Sequence, residues 1–421
     1  MSDTPSTDEH ALRIEALYQD RLVPCYAHRP DHLDAMFRAS VQRRPQALAI
    51  EEGERSLTYA QLDLEVGRLS AGWAARGIGS GDRVALFLGN RIEFVLVLLS
   101  LWRLGAIAVP IGIRQSAAEL EYMLGQCGAC ALVFEGTLAD RLPRPDAIPG
   151  VGLLVHCLDA DENGEVLQAS GLPSVLLADL SCDPPLRASP DGLSDQAPAC
   201  IMYTSGTTGH PKGAVLSHLG FFHTARHYVH RFGYRPDDRL LLVIPGSHIS
   251  GLLAVVVVSL QVGGCLVCLR QFHAPAVLQT MQARRITATV MVPAMYNLCL
   301  LQPEIATYDL SAWRIGHFGG AAMPEVTIER LAQVLPTLQL YNGFGATETT
   351  SAVTLTERGD AARYPDSVGT LLPCIDIRVL DPEGREVPPG EPGELWIRSP
   401  GNAIGYWNNP EATRATIVAG Y

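Results

Sequence analysis

The sequence is poor in cysteine, and it lacks the marks of exported and membrane proteins. Ten Cys in 421 residues are too few for a disulfide scaffold, so we expect reduced thiols. The first ten residues show neither a basic start nor an apolar stretch, which argues against a secretory signal and favours a cytoplasmic protein. The apolar runs 95–113 and 252–269 are interrupted by polar residues such as Arg103 and Gln261. Both runs are therefore typical of buried core elements rather than membrane spans.

Positive charge is also scarce, and repeats are absent. There are 32 Lys and Arg against 44 Asp and Glu, a formal net charge of −12. A nucleic-acid interface needs clustered positive charge, so we expect none here. The sequence shows no internal repeat and no low-complexity segment. With 47% hydrophobic and 18% charged residues, the composition is that of an ordinary globular protein of two or three compact units.

Helical and strand patterns alternate along most of the chain. A capping box at Thr58 and Gln61 begins an amphipathic helix that ends at Gly77. Further strands are predicted at 84–88, 106–111 and 131–134, and further helices at 93–104 and 116–126. This alternation predicts a parallel sheet covered by helices. A second such sheet is predicted from strands near 240–244, 265–269, 287–292, 314–318 and 338–341.

Three stretches depart from this alternation. Residues 1–30 show no sustained periodicity and are predicted to form a tail or a loosely attached helix. Residues 135–197 are rich in Pro, Asp, Ser and Gly and are predicted to be a connecting region. Beyond about residue 360, short strands alternate with turns, which indicates antiparallel β-structure. The predicted fold class is therefore α/β, with two helix-flanked β-sheets over about 31–360 and a small antiparallel β-barrel-like part over 361–421.

The segment 203–213 (YTSGTTGHPKG) follows an apolar strand and concentrates glycines and hydroxyls. Its glycines let the backbone approach a ligand, and its hydroxyls and Lys212 suit phosphate oxygens. It is not a Walker A loop, since Pro211 precedes the lysine and Gly213 follows it. A passive linker is the alternative, but a plain turn rarely holds so many donors. The candidate phosphate-binding residues are Thr204, Ser205, Gly206, Thr207, Thr208, Gly209 and Lys212.

This loop resembles the signature of the adenylate-forming superfamily, which includes acyl-CoA synthetases, peptide-synthetase adenylation domains and luciferases. Other segments resemble the landmarks of that family in the same order. They are 57–62 (LTYAQL), 81–84 (GDRV), 318–324 (FGGAAMP), 341–349 (YNGFGATET) and 390–397 (GEPGELWI). An ordered set spread over about residues 30–421 is a specific signal, whereas one glycine-rich segment is a weak one.

The resemblance implies an enzyme that activates a carboxylic acid, with ATP, Mg²⁺ and coenzyme A as cofactors. The acid attacks the α-phosphorus of ATP to give acyl-AMP and pyrophosphate, and the thiol of CoA then displaces AMP. A carboxylate at ~4 Å from one phosphate charge meets ~4 kcal/mol of repulsion at an effective dielectric of about 20. Catalysis therefore needs positive charge and aimed donors more than acid–base groups.

By the same resemblance, Glu348 is the magnesium ligand and Thr347 contacts the α-phosphate. A helix N-terminal turn, acidic because of the helix dipole, is the structural alternative for this pair. The residues expected around the adenine are Gly320, Ala321 and Ala322 on one side and Asn342, Gly343 and Phe344, followed by Gly345, on the other.

The acid is expected beside residues 245–251 (PGSHISG), which resemble the acyl-pocket segment of the family. His248 occupies the position of an aromatic residue or histidine, and we expect it to contact the carboxylate, since a carboxylate nucleophile needs no base. A structural histidine is the alternative. Relatives that activate amino acids carry an aspartate in this segment, and none is present, so a fatty or aryl acid is favoured. The pocket candidates are His248, Ile249, Ser250, Gly251, Met295, Gly319 and Phe344.

The resemblance implies a further small C-terminal domain, which we expect to be absent from this chain. We therefore expect residues 31–421 to form the large AMP-binding domain, which binds ATP and acid but turns over slowly. The expected partners are a small carboxylic acid, ATP and CoA, without nucleic acid or a membrane span. Two alternatives stay open: a ligase that loads a carrier protein instead of CoA, and a non-catalytic nucleotide-binding module. The intact Lys212, Thr347 and Glu348 argue against the second.

Two patterns resemble metal sites. Cys127 with Cys130, and Cys265 with Cys268, have the spacing of the two halves of a zinc site. The second pair lies on a predicted strand, where such residues point to opposite faces, which argues against a shared ion. His223, His227 and His230 share one face of a predicted helix. No acidic partner accompanies them, so a polar helix face is favoured over a metal site.

Overall fold

The computed structural model describes residues 11–18, 21–158, 172–204 and 209–421. The strands are β1 Leu12–Leu17, β2 Arg21–Tyr26, β3 Leu48–Glu52, β4 Arg55–Thr58, β5 Arg83–Phe87, β6 Ile107–Pro110, β7 Ala131–Glu135, β8 Leu153–Cys157, β9 Ser174–Leu176, β10 Pro198–Thr204, β11 Lys212–Ser217, β12 Arg239–Leu242, β13 Cys265–Cys268, β14 Ala288–Val290, β15 Ile315–Gly319, β16 Gln339–Ala346, β17 Ser351–Leu355, β18 Thr370–Leu371, β19 Asp376–Leu380, β20 Glu394–Arg398 and β21 Gly405–Tyr406.

The helices are α1 Leu33–Arg43, α2 Tyr59–Ala75, α3 Ile92–Leu104, α4 Ala117–Cys127, α5 Leu177–Leu180, α6 His218–Phe232, α7 Ile249–Gly251, α8 Val258–Val262, α9 Ala274–Ala283, α10 Pro293–Leu300, α11 Glu325–Val334, α12 Asp360–Arg363 and α13 Pro410–Thr416. A π-helical stretch, Leu252–Val257, joins α7 to α8. A short 3-10 turn, Thr347–Thr349, lies between β16 and β17.

Two large sheets organise these elements. The first has the strand order β21-β11-β10-β6-β5-β7-β8-β9, and the second β18-β17-β16-β15-β14-β12-β13-β3-β4. Their central strands are parallel, and several of them, such as β7 and β13, are buried along their whole length. Strands covered on both faces are expected to be continuously apolar, as β13 is and as β7 is up to its last residue, Glu135. The α/β class with two helix-flanked sheets is confirmed.

Local signals in the sequence set the helix ends. Thr58 and Gln61 form both hydrogen bonds of the expected capping box before α2. Gly105 takes a left-handed conformation, with φ of 71°, at the end of α3. Arg103, which interrupts the apolar run, is buried on α3, and its Nε lies 2.8 Å from Oδ1 of the equally buried Asp34. The run therefore comprises most of a core helix and strand β6, and the charge of Arg103 is paired with both Asp34 and Asp63. Among the described residues, no helix combines the length and the apolar character needed to cross a bilayer.

The expected N-terminal tail or helix is wrong for the described residues. Strands β1 and β2 form an antiparallel hairpin from Leu12 to Tyr26. One face of β2 is buried, and Leu17 at the end of β1 joins Val23 and Cys25 in a small cluster with Leu219 of α6. The alternation of buried and exposed residues along β2 has the period of a strand. This alternating pattern covers too few residues to be recognised as a sustained periodicity in the sequence.

Two further expectations need correction. The connecting region 135–197 contributes β8 and β9, which extend the first sheet in parallel register. These two strands are only five and three residues long, so the polar composition of the region hides them. At the C-terminal end, β19 pairs with β20 as a two-stranded antiparallel ribbon. Antiparallel pairing was expected, but the described residues form this ribbon rather than a closed barrel.

Candidate functional site

The predicted phosphate loop joins two paired strands of the first sheet. Strands β10 and β11 are antiparallel, and Thr204 is opposite Lys212 at their open end. Residues 205–208, which include the predicted Ser205, Gly206, Thr207 and Thr208, lie outside the described part of the chain. Gly209 is exposed. The loop is therefore anchored at both ends on strands, with a hydroxyl on one strand and a lysine on the other.

Glu348 lies beside this strand end. Its Oε1 accepts a hydrogen bond from Thr204 Oγ1 at 3.3 Å and a second from the Tyr406 hydroxyl at 2.8 Å. The Lys212 Nζ lies 5.4 Å from the centre of the Tyr406 ring. Three predicted residues are thus brought together around one tyrosine: Thr204 and Lys212 of the phosphate-loop motif and Glu348 of segment 341–349.

Tyr406 was missed by the sequence reasoning. It lies on β21, opposite Ala214 of β11, which places its ring against the phosphate-loop strands. Burial, and then the hydrogen bond to Glu348, raise the pKa of its hydroxyl, so the hydroxyl keeps its proton and donates. Nothing in the local sequence separates this tyrosine from the neighbouring Trp407, because its role depends on a pairing far along the chain.

The 3-10 turn Thr347–Thr349 aims the Glu348 side chain. Thr349 Oγ1 accepts from the Ala346 amide at 2.9 Å, and the Ala403 amide donates to the Glu348 carbonyl at 2.7 Å. A Cβ added at Gly345 would lie 1.8 Å from the Ser351 carbonyl oxygen, so only glycine fits before the turn. The turn leads into strand β17, and the alternative of a helix N-terminus is therefore wrong.

The carboxylate of Glu348 suits a hard cation. Both of its side-chain hydrogen bonds within the described residues end on Oε1, which leaves Oε2 for a ligand. The described residues contain no group of three or more His, Cys, Asp or Glu that could enclose a metal ion. Mg²⁺ commonly binds through one or two carboxylates together with substrate phosphates, and this donor set fits such binding.

The two segments predicted to enclose adenine are neighbours in the second sheet. Strands β15 and β16 are parallel, with Gly319 opposite Gly343. Residues 320–322 and Phe344 are exposed at the carboxyl ends of these strands, where ligands of open α/β sheets commonly bind. Asn342, unlike these exposed residues, is buried, and its side-chain amide donates to the Ser367 carbonyl at 2.9 Å. Its side chain holds the neighbouring loop.

Asn90 fixes the segment predicted to hold the acid, residues 245–251. This buried side chain follows β5 of the first sheet, and its Oδ1 accepts from the Gly246 amide at 2.8 Å. Its Nδ2 donates to the carbonyls of Ile244 at 3.0 Å and Leu269 at 3.2 Å in the second sheet. Asn90 therefore ties the two sheets together at the candidate acid site. Sequence reasoning missed it, since its partners are distant along the chain.

His248 begins the short helix α7. Its Nδ1 accepts from the Ser250 amide at 3.3 Å, so the neutral ring carries its proton on Nε2. The surrounding protein desolvates the ring and lowers its pKa. Ile249 is buried beside it, and Met295 on α10 is partly buried between two apolar clusters. His248 thus has a structural role, since its Nδ1 caps α7. Its Nε2–H can still donate a hydrogen bond to a ligand.

The patterns that resembled metal sites have structural explanations. Cys265 and Cys268 on β13 pack into different hydrophobic clusters, one on each face of the second sheet. The polar-face interpretation of the helix α6 histidines is wrong, since His223 and His227 are buried. The His223 ring stacks on Tyr26 with centroids 4.9 Å apart. The N-terminal hairpin, which sequence reasoning did not expect, covers this face.

Replacing Tyr406 with Phe tests its contact with Glu348. The substitution removes the hydroxyl and keeps the ring beneath Lys212. A hydrogen bond to a charged group is worth about 1.5–3 kcal/mol, so we expect Mg²⁺-dependent ATP affinity to fall by at least tenfold. Isothermal titration with MgATP measures this change. The matched control is Tyr364→Phe, on an exposed tyrosine of the second-sheet rim; equal affinity in wild type and Tyr406→Phe would exclude the role.

Comparisons with known proteins agree with this site. A family model described as AMP-binding enzyme matches residues 37–407. A feruloyl-CoA synthase of an Amycolatopsis species is 32% identical over 377 residues, which is 90% of this chain and 72% of that protein. The long-chain-fatty-acid–CoA ligase FadD13 of Mycobacterium tuberculosis is 34% identical over 386 residues, 91% of this chain and 73% of that protein.

The fold agrees as well. The crystal structure of the N-terminal domain of FACL13 from Mycobacterium tuberculosis has 30% sequence identity and a TM-score of 0.80. The match covers 92% of this chain and 94% of that one. These comparisons confirm the resemblance to the adenylate-forming superfamily and the expectation of an AMP-forming acid–thiol ligase. The chain belongs to the family of AMP-binding enzymes, with the N-terminal-domain fold of that superfamily.

Proposed function

We propose that this protein uses ATP to convert a fatty or aryl carboxylic acid into an acyl-adenylate and pyrophosphate, and then forms the CoA thioester. The observation that carries the proposal is the convergence of Thr204, Lys212 and Glu348 at the open end of β10 and β11. A lysine, a hydroxyl and a carboxylate at one pair of strand ends supply the charge and the donors that a triphosphate requires.

The electrostatic problem of this reaction explains the arrangement. An acid carboxylate must approach the α-phosphorus of a polyanion, and positive charge lowers that repulsion. Lys212 is partly buried, where its charge is less screened than at the surface. In this proposal Lys212 and the residues of 204–209 hold the β- and γ-phosphates, and Thr347 contacts the α-phosphate.

We propose Mg²⁺ as the cation at Glu348, through the Oε2 that its hydrogen bonds leave open. When bound, the cation neutralises phosphate charge and orients the triphosphate. The Tyr406 hydroxyl and Thr204 hold the other carboxylate oxygen, which fixes the direction of Oε2. This chain thus supplies one oriented carboxylate, and the phosphates supply further oxygen ligands.

The acid-binding segment favours an uncharged, apolar tail. Residues 245–251 contain no carboxylate that could pair with an ammonium group, and Ile249 and Met295 give the neighbourhood an apolar character. The Nε2–H of His248 is the donor that we assign to the acid carboxylate. The adenine then lies along 319–322 and 343–345, where Gly319 and Gly343 bring two strand ends close together.

Lys212→Ala tests the phosphate-binding role. Loss of one charged contact is worth about 1.5–3 kcal/mol, so we expect ATP affinity to fall about 10- to 150-fold. The affinity for AMP, which lacks the β- and γ-phosphates, is expected to change far less. Isothermal titration with both nucleotides measures the difference, and Arg285→Ala, on an exposed loop, is the control. Equal ATP affinity in Lys212→Ala and wild type would remove the lysine from the site.

The identity of the acid and of the thiol acceptor is tested separately. A ligand that binds only the folded state raises its melting temperature, so a thermal-shift panel of fatty, aryl and amino acids with MgATP identifies the acid class. We expect shifts with fatty or aryl acids and none with amino acids. Acyl transfer is then compared between CoA and a phosphopantetheinylated carrier protein. Acyl transfer to the carrier protein alone would show that the acceptor is a carrier protein rather than CoA. The proposed division into a large domain, 31–421, and a separate small domain would then also be reassessed.

A further inference from the structure

The N-terminal hairpin reaches the candidate magnesium site through Arg21. This arginine begins β2 and is 3% exposed. Its Nη1 donates to the carbonyls of Asn402 at 3.4 Å and Ala403 at 2.8 Å, and its Nη2 donates to the carbonyl of Ile404 at 3.1 Å. Three consecutive carbonyls of one segment therefore face a single buried guanidinium.

The opposite side of the same segment faces the site. The Ala403 amide donates to the Glu348 carbonyl at 2.7 Å, and the Ile404 amide donates to the Val215 carbonyl of β11 at 2.8 Å. The peptide between Asn402 and Ala403 thus has its carbonyl on Arg21 and its amide on Glu348. Because aligned hydrogen bonds polarise one another, the guanidinium strengthens as well as orients this contact.

The segment continues directly into β21. Tyr406, two residues after Ile404, donates its hydroxyl to the Glu348 carboxylate at 2.8 Å. Segment 402–406 therefore holds both the main chain and the side chain of Glu348, and Arg21 holds the segment. The hairpin is itself anchored near the start of α6, where the Tyr18 hydroxyl donates to Ser217 Oγ at 2.6 Å. The Arg21 guanidinium also packs on the Tyr18 ring, 4.9 Å from its centre.

We propose that Arg21 is a positioning residue for the nucleotide and metal site, acting through the carbonyls of 402–404 on Tyr406 and Glu348. Arg21 does not touch the substrates. Its removal frees the 402–406 segment to shift, which misdirects the carboxylate that we assign to Mg²⁺. The inference rests on the proposed function, since the site it serves is the one assigned to MgATP.

Variants of Arg21 in the 421-residue chain test the inference. Arg21→Met removes the charge and the donors but keeps the length of the side chain, and Arg21→Lys keeps the charge with a different donor geometry. Arg13→Met is the matched control, because Arg13 lies on the same hairpin with its side chain 58% exposed. ATP affinity is measured by titration calorimetry with and without Mg²⁺, and the affinity for the acid found in the panel is measured alone.

We expect Arg21→Met to lower the MgATP affinity about tenfold, to reduce the gain from Mg²⁺ by the same factor, and to leave the acid affinity unchanged. Arg21→Lys should restore part of the loss, and Arg13→Met should match wild type. The double variant Arg21→Met with Tyr406→Phe should lose less than the product of the single losses, since both act on Glu348.

Equal MgATP affinity and Mg²⁺ dependence in wild type and Arg21→Met would overturn the inference, as would a parallel loss of acid and ATP affinity. If Arg21→Met does not fold, Arg21→Lys decides, and unchanged Mg²⁺ dependence in that variant would overturn the inference as well. Failure of wild type to bind MgATP would instead contradict the proposed function, so the two failures are distinguishable.

Discussion

Replacing Glu348 with Gln is expected to abolish the Mg²⁺ dependence of ATP binding and to slow ATP–pyrophosphate exchange at least 100-fold. Removing one group that stabilises charge in a transition state costs about 2.7–4 kcal/mol. The amide oxygen of Gln can still accept from Tyr406 and Thr204, so the 3-10 turn should keep its shape. The loss then comes from the missing charge at Oε2 rather than from local unfolding.

The measurement is exchange rate and ATP affinity as functions of Mg²⁺ concentration, for wild type and Glu348→Gln. Glu394→Gln is the matched control, because Glu394 lines the same cavity of about 370 Å³ as Glu348, but its carboxylate accepts a hydrogen bond from the Trp396 indole at 3.0 Å. We expect the control to behave as wild type. A Glu348→Gln protein that retains its Mg²⁺ dependence and exchanges within about threefold of wild type would place the cation elsewhere.

The fold is expected to unfold in mild acid because four buried histidines are neutral. Burial lowers the pKa values of His218, His227 and His317 to about 3. Burial, together with nearby cationic groups, holds the pKa of His223 well below its ordinary value. Below about pH 6.5 the unfolded chain therefore binds protons that the folded chain does not. The histidine contribution to stability is complete above that pH and falls as the pH falls, down to about 3.

The expected loss of folding stability in mild acid is large. Each histidine costs about 1.4 kcal/mol per pH unit within this window, so four of them remove about 8 kcal/mol between pH 6.5 and 5. That is comparable to the total stability of a typical domain, about 5–15 kcal/mol. The free energy of unfolding should thus fall steeply between pH 6.5 and 5. The carboxylates Glu15 and Glu93, whose pKa values are lowered to about 2 by arginine neighbours against the cost of burial, add their own loss only below about pH 4.5.

Urea unfolding at pH 7, 6 and 5 measures this dependence. His223→Phe, which keeps an aromatic ring against Tyr26, should lower the pH slope of the unfolding free energy by about 1.4 kcal/mol per unit. His273→Gln is the control, since His273 is exposed and makes no capping hydrogen bond with its side chain. A stability that does not change between pH 7 and 5 would show that these histidines are not neutral and buried as described.

The sequence predicted those parts of the fold whose signals are local. The capping box at Thr58 and the apolar parallel strands both depend on residues close together in the chain. The N-terminal hairpin and strands β8 and β9 escaped because their patterns are short and their burial comes from distant partners such as Leu219. Those partners lie beyond the reach of a periodicity argument.

In the candidate site, too, residues with local sequence signals were predicted and residues that act through distant contacts were missed. Motif spacing and resemblance identified Lys212, Glu348 and His248, whose neighbouring residues form recognisable segments. Tyr406 and Asn90 escaped because each acts through a contact with a distant segment, Tyr406 on Glu348 and Asn90 on Gly246. Single polar residues without a local pattern cannot be assigned before the strand order is known.

A crystal of this chain grown with ATP, Mg²⁺ and a fatty or aryl acid tests the central claim most directly. The expected density shows the triphosphate along 204–212 with the cation beside Glu348, and the adenine along 319–322 and 343–345. The acid carboxylate is expected near His248. Nucleotide density at another surface of the molecule, with the strand end at Thr204 and Lys212 carrying no phosphate, would contradict it.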